Sequence, residues 1–292
     1  MISFDFGSPE KNLERVGLAR DSLLAEQIYS KAFDGCIVGY EAAPLDKAKE
    51  LLPLAAEFSV APISDFNVGA VAIGGTGKLY LGANLEFAGV PLSTTLHAEQ
   101  SAILNARDHG ETSVDSLVVS VAPCGHCRQF LWELPNAAEL KLLFAGQTFD
   151  LQALLPSAFG GPRPEGESVM DSPLLDLEPV VSPSSSLAKH AIQAARKCYV
   201  PYSKSPEGLA LECASGAIFT GSTVQSIAFN PTVSAIVGAM NHRNFSHSRN
   251  DAITAVVYAK LANNLSEQEA LTGSLLGKVS DAEVRTITLE MV

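Results

Sequence analysis

The chain has 292 residues, 47% of them hydrophobic, enough apolar material for one large core or two of ordinary size. Its 32 acidic against 20 basic side chains leave a formal charge of −12, which disfavours a nucleic-acid partner, whose affinity rests on Lys and Arg contacts to phosphate. The start at Met1 to Phe6 lacks the charged and apolar segments of a secretory signal, and no apolar run reaches membrane-spanning length; a soluble, cytoplasmic protein without a membrane partner is expected.

Residues 9–34 carry Leu13, Val16, Leu23, Leu24 and Ile28 at helical spacing before Gly35, which predicts one or two helices ahead of the main domain. From Leu45 the pattern reads as a helix over 45–60, a strand over 67–73, a Gly74-Gly75-Thr76-Gly77 turn and a strand over 79–84, together a hairpin. A helix over 95–109, a strand over 117–121, a helix from Cys124 and a strand over 140–145 follow. That alternation favours parallel pairing in a three-layer α/β/α sandwich with a mixed sheet. His109, in the last turn before Gly110, reads as a helix-terminal cation rather than as catalytic.

Two motifs carry chemistry: His97-Ala98-Glu99, and Pro123-Cys124-Gly125-His126-Cys127. One imidazole and two thiolates give zinc three protein ligands and leave its fourth position for water, as in catalytic rather than structural sites. Cys124 and Cys127 lie three apart at a predicted helix start, where free N–H groups and the dipole lower thiol pKa values. His97 is expected in the first turn of another helix, with Thr94 or Thr95 as its N-cap, and Glu99 is the natural proton acceptor for a water on the metal. His126 reads as exposed rather than as a ligand, and Arg128 as a residue that orients or tunes a cysteine. Cys36, Cys198 and Cys213 have no ligand-like partner and read as small buried hydrophobes, with no disulfides.

Each half of the signature has an ordinary reading: H-x-E as a capped helix start, CxxC as a redox pair or half of a structural zinc site. Phe66 and Phe87 read equally as core aromatics, Asn84 as a strand end and Glu86 as a solvated charge. A non-enzymatic zinc protein whose site is closed by a fourth ligand therefore stays open, although no other motif-placed Cys or His lies near.

Residues 161–185, rich in Gly, Pro and Ser, read as a linker between a domain over 45–160 and another over 186–292, with 1–44 as an N-terminal helical segment. The second domain reads as a degenerate copy of the first at an offset of 139: Pro62 meets Pro201, Ser64 meets Ser203, Gly69 meets Gly208, Gly77 meets Gly216 and Gly82 meets Gly221. At the same offset His97 meets Ile236 and Glu99 meets Gly238, so the copy is expected to fold, to be non-catalytic and to hold no metal, leaving one zinc per chain.

H-x-E with P-C-x-x-C is the known signature of zinc nucleobase deaminases. With Phe66-Asn67-Val68-Gly69-Ala70, Asn84-Leu85-Glu86-Phe87, His97-Ala98-Glu99-Gln100-Ser101-Ala102 and Ala122-Pro123-Cys124-Gly125-His126-Cys127-Arg128-Gln129-Phe130, the sequence resembles cytidine deaminase, in its dimeric two-domain class. The resemblance implies hydrolytic deamination of cytidine and deoxycytidine in pyrimidine salvage, with zinc hydroxide attacking C4 and Glu99 as proton shuttle. It also implies that His97, Cys124 and Cys127 hold zinc, Phe66 packs on the pyrimidine, Asn84 and Glu86 hold the ribose 3′-hydroxyl, and the backbone of Ala98 and Cys124 contacts the base. A homodimer is implied, each site completed by Phe159 of the other subunit. A deaminase of another amine-bearing ring would share the zinc ligands, and the acidity and the Asn84/Glu86 pair count against it.

Overall fold

A computed structural model describes residues 36–37, 44–161, 163–164, 166–183 and 185–292. The helices expected over 9–34 lie outside the described residues. The chain divides into two compact units: one holds the described residues up to Glu86 with Thr95–Asp171, the other Phe87–Thr94 with Ser172–Val292.

The first unit runs β1 (Cys36–Ile37), α1 (Pro44–Glu50), α2 (Leu52–Ala56), β2 (Gly69–Gly74), β3 (Leu79–Ala83), α3 (Ala98–Asp108), β4 (Val114–Val119), α4 (Gly125–Leu131), β5 (Lys141–Phe144), β6 (Gln147–Asp150) and α5 (Leu151–Leu154). Its sheet has the order β1-β3-β2-β4-β5-β6; β4 and β5 are parallel and the other pairs antiparallel. The single helix expected over 45–60 is two, because Pro53 has no N–H for the ladder and its ring clashes one turn back. The hairpin turn closes at Gly77, whose φ of 79° only glycine adopts without cost.

Two glycines define the layers. Gly69 lies opposite Ala83 and Ala70 opposite Gly82, so the two glycines face opposite sides of the sheet. A Cβ on Gly69 would lie 2.5 Å from Leu52 O in α2, and one on Gly82 would lie 2.2 Å from Ala98 O in α3. Helices therefore press on both faces, which makes the unit a three-layer sandwich. Double coverage buries all of β2 and β3, so they read as continuous apolar runs rather than alternating ones. α3 is buried continuously from Ala98 to Ala106, whereas a surface helix shows a single apolar stripe.

β6 and α5 have no counterpart in the sequence-based expectation. The β5–β6 hairpin turns at Ala145 and Gly146, with φ of 50° and 74°. Two positive values suit a tight hairpin, but Ala in place of Asn or Asp hides the turn from a sequence reading.

The second unit contains β7 (Leu177–Pro179), α6 (Ser186–Arg196), β8 (Glu207–Cys213), β9 (Ile218–Ser222), α7 (Ala235–Asn244), β10 (Ile253–Leu261), α8 (Glu269–Val279) and β11 (Val284–Met291), with strand order β7-β11-β10-β8-β9. β10 and β11 are parallel, as β4 and β5 are in the first unit. The glycine device recurs: a Cβ on Gly208 would meet Ala191 O at 2.4 Å in α6, and one on Gly221 would meet Ala235 O at 2.1 Å in α7. Cys198 and Cys213 are buried here, as expected of small hydrophobes.

The copy keeps the offset of 139 through the hairpin and then slips. Leu85 bridges Leu96 in the first unit, whereas Val224 bridges Val233 in the second. The connection is therefore two residues shorter, and Ser234, the N-cap of α7, stands where His97 caps α3. The expected pairing of His97 with Ile236 and of Glu99 with Gly238 is thus corrected: Ser234 and Ile236 occupy those places. An ungapped comparison cannot see a shortening that only bridge register reveals.

Candidate active site

The site is built where two helices begin. Leu96 is fixed by reciprocal backbone hydrogen bonds with Leu85, at 2.9 and 3.0 Å, and the chain then turns into α3. His97 is itself the N-cap, with extended φ and ψ of −85° and 155°, and its N–H donates to Gln100 Oε1 at 3.2 Å. The expectation of His97 inside the first turn, capped by Thr94 or Thr95, is corrected: the bridge to Leu85 keeps the backbone extended through His97. Two residues later, Glu99 lies on buried α3 with 4% of its surface exposed.

Cys124 is the N-cap of α4, and Cys127 lies one turn on, fully buried. Arg128 touches neither sulfur by hydrogen bond. Its Nε donates to Pro123 O and a terminal nitrogen to Leu154 O, both at 2.9 Å, so it braces the backbone just before Cys124. Next to it, Gln129 clamps the main chain of Phe159 through both amide atoms, at 2.8 and 3.1 Å.

The three ligand atoms of His97, Cys124 and Cys127 lie within 4.8 Å of one another. The sulfurs are 3.7 Å apart, and His97 Nδ1 is 3.6 Å from Cys124 Sγ. Zinc bonds of about 2.3 Å to sulfur and 2.0–2.1 Å to nitrogen give tetrahedral edges of about 3.8 Å and 3.6 Å, so the donor set has the size of a zinc corner.

Electrostatics agree with the donor chemistry. The Cys127 thiol and the His97 ring donate toward Cys124 and push its pKa down to about 3. Cys127 moves well up, because its proton serves Cys124 and because it is buried; His97 moves up beside the Cys124 sulfur. These protons leave when a divalent cation enters. Burial raises the pKa of the Glu99 carboxyl.

A cavity of about 460 Å³ opens onto this corner. Phe66, Asn84, Glu86, His97, Ala98, Glu99 and Cys124 all line it. Asn84 accepts from Ser59 Oγ and Val68 N–H and donates to Phe66 O, while Glu86 accepts from the N–H groups of Ile63 and Ser64. Phe66 is 55% exposed, unlike a core aromatic, whereas Phe87 is buried. Phe159 is not among the walls; its side chain is 64% exposed.

A profile of the cytidine and deoxycytidylate deaminase zinc-binding region matches residues 45–140, and a second profile of that description matches residues 151–272. A cytidine deaminase of Klebsiella pneumoniae strain 342 is 43% identical over 216 residues, covering 73% of this chain and 72% of the relative. The chain belongs to the cytidine deaminase family. The enzyme of a second K. pneumoniae strain is 42% identical over the same length and shares. The crystal structure of cytidine deaminase from Mycobacterium tuberculosis is 30% identical, covers 39% of this chain and 96% of that one, and has a TM-score of 0.37. This cytidine deaminase has two deaminase domains, and its cofactor is zinc.

Sequence reasoning left Ser64 without a role. It lines the cavity and donates to Glu86 Oε1, and its match with Ser203 in the repeat was the available signal. His126, expected to be exposed, is half-buried, with its ring stacked on that of His97. His109 caps α3, as expected, its Nδ1 lying 2.8 Å from Asn105 O. Among the described residues no helix is long and apolar enough to cross a membrane.

Proposed function

We propose that this chain hydrolyses cytidine and deoxycytidine to uridine and deoxyuridine with release of ammonia, using one zinc held by His97, Cys124 and Cys127. The observation that carries this reading is the zinc-sized ligand corner, which opens on a nucleoside-sized cavity with Glu99 beside it. When bound, zinc lowers the pKa of a water at its open position toward neutral.

The chain's own groups do the rest. Glu99 takes a proton from the attacking water and gives it to N3 of the pyrimidine, then carries the proton of the new C4 hydroxyl to the amine, and ammonia leaves as that oxygen becomes the product carbonyl. Phe66 packs on the ring, and the backbone at Ala98 and Cys124 meets its polar edge. Asn84 and Glu86 hold the ribose 3′-hydroxyl; a carboxylate there repels a 3′-phosphate, so free nucleosides are favoured over polymers.

Residues 45–160 form the catalytic domain, 161–185 the linker and 186–292 a domain without catalytic residues, with Ser234 and Ile236 in the places of His97 and Glu99. The protein works as a homodimer whose sites are each completed by Phe159 of the other copy, in the cytoplasm, within pyrimidine salvage.

The test is direct. Purified protein incubated with cytidine should lose cytosine absorbance and release equimolar ammonia, a chelator should abolish both, and adenosine should be inert. Glu99→Gln should retain zinc and lose about 10²–10⁴-fold in kcat, the usual contribution of acid–base catalysis of this kind. Turnover by Glu99→Gln near the wild-type rate would remove the assignment.

A further inference from the structure

We propose that His126 is the positioning residue for the His97 imidazole, fixing the plane of the zinc ligand by ring stacking. The proposal rests on the reading of His97 as a zinc ligand. A metal-bound histidine is ordinarily aimed by a hydrogen bond from its second ring nitrogen to a carboxylate, carbonyl or water. His97 turns Nδ1 toward Cys124 Sγ, and its side chain takes part in the capping box of α3 with Gln100. Neither contact is the usual carboxylate, carbonyl or water partner of a zinc-bound histidine.

A different restraint stands in its place. The rings of His97 and His126 are stacked, with centroids 5.0 Å apart and planes 20° from parallel. That separation lies within the range of favourable aromatic pairs. His126 sits between the two cysteines on the first turn of α4, so the segment that supplies both sulfurs also supplies the surface on which the third ligand rests. One rigid turn thereby sets all three donors. Arg128 holds that turn by its grip on Pro123 O, which keeps the stacking surface in register with the sulfurs.

Shape, not hydrogen bonding, is the restraint, and that separates the proposal from a general contribution to folding. His126→Ala removes the stacking face, whereas His126→Phe keeps a flat ring of similar size without any nitrogen. Zinc transfer from the loaded protein to a colorimetric chelator should be about tenfold or more faster in His126→Ala, the low end for loss of a group that orients a ligand. In His126→Phe it should stay within about twofold of wild type. The absorption bands of the cobalt-substituted protein should shift in His126→Ala and match wild type in His126→Phe. Wild-type zinc retention in His126→Ala, or equally fast loss from the alanine and phenylalanine variants, would overturn the proposal. His97→Ala, measured alongside, should lose zinc outright; full retention there would instead show that His97 is no ligand and remove the proposal's premise.

Discussion

Glu86 and Gln225 stand at equivalent places in the two halves of the chain, and the comparison separates what a turn needs from what a ligand needs. Glu86 accepts from the N–H groups of Ile63 and Ser64, at 2.9 and 3.0 Å; Gln225 Oε1 accepts from those of Tyr202 and Ser203, at 3.3 and 3.2 Å. Both turns end on a residue in the left-handed region, Asp65 at φ 53° and Lys204 at φ 52°. The same turn forms around an amide, so folding does not demand a carboxylate at position 86. Partial burial works against ionisation of Glu86, but the Ser64 and Ile63 donors prevail and hold its pKa below the usual carboxylate range. Glu86→Gln should therefore melt within about 2 °C of wild type, while the KM for cytidine rises about 10- to 100-fold, the worth of one charge-assisted hydrogen bond. A large fall in melting temperature in calorimetry would show that the turn, rather than a ligand, requires the charge.

At the scale of elements, the distance from sheet to helix sets the site. α3 carries Glu99 and starts at His97, and it lies so close over Gly82 that a Cβ there would fall 2.2 Å from Ala98 O and 2.4 Å from Ala102 N. These are backbone atoms, which cannot rotate away. Gly82→Ala should cost about 1–3 kcal/mol through overpacking and push the helix start away from Cys124 and Cys127, so zinc should be lost faster. Gly221→Ala makes the equivalent overlap with Ala235 O and Ala239 N, under a helix capped by Ser234, which is no zinc ligand. It should lower stability by a similar amount and leave zinc retention unchanged. Thermal melts and chelator transfer on the two variants distinguish a local packing defect from a displaced ligand.

For the whole molecule, Phe159 is the residue that separates a self-contained site from a shared one. Its side chain is largely exposed, yet its main chain is held at both N–H and carbonyl by the buried Gln129. A large apolar side chain on a fixed backbone costs little entropy to dock, which suits it to close a site on a second copy. Phe159→Ala and Glu99→Gln should each be nearly inactive alone. Subunits of the two exchanged in equal amounts should regain about a quarter of wild-type turnover, because half of the dimers are mixed and each mixed dimer holds one intact site. No recovery on mixing, with exchange verified by native mass spectrometry, would place the whole site within one chain.

Much of this organisation was readable from the residues, because zinc chemistry depends on residue type and short spacing. His97, Glu99, Cys124 and Cys127 carry that pattern in linear order, and the glycines of the hairpin carry the duplication. What lay beyond the sequence is decided by contacts that spacing does not encode. The bridge of Leu85 to Leu96 makes His97 a cap rather than a first-turn residue, and the shorter bridge of Val224 to Val233 brings Ser234 into its place. The Ala145-Gly146 turn adds a strand at the sheet edge without an Asn or Asp to announce it, and His126 meets His97 only after two distant helices converge. Local preference selects donors and elements; long-range backbone pairing and close packing fix where each donor points.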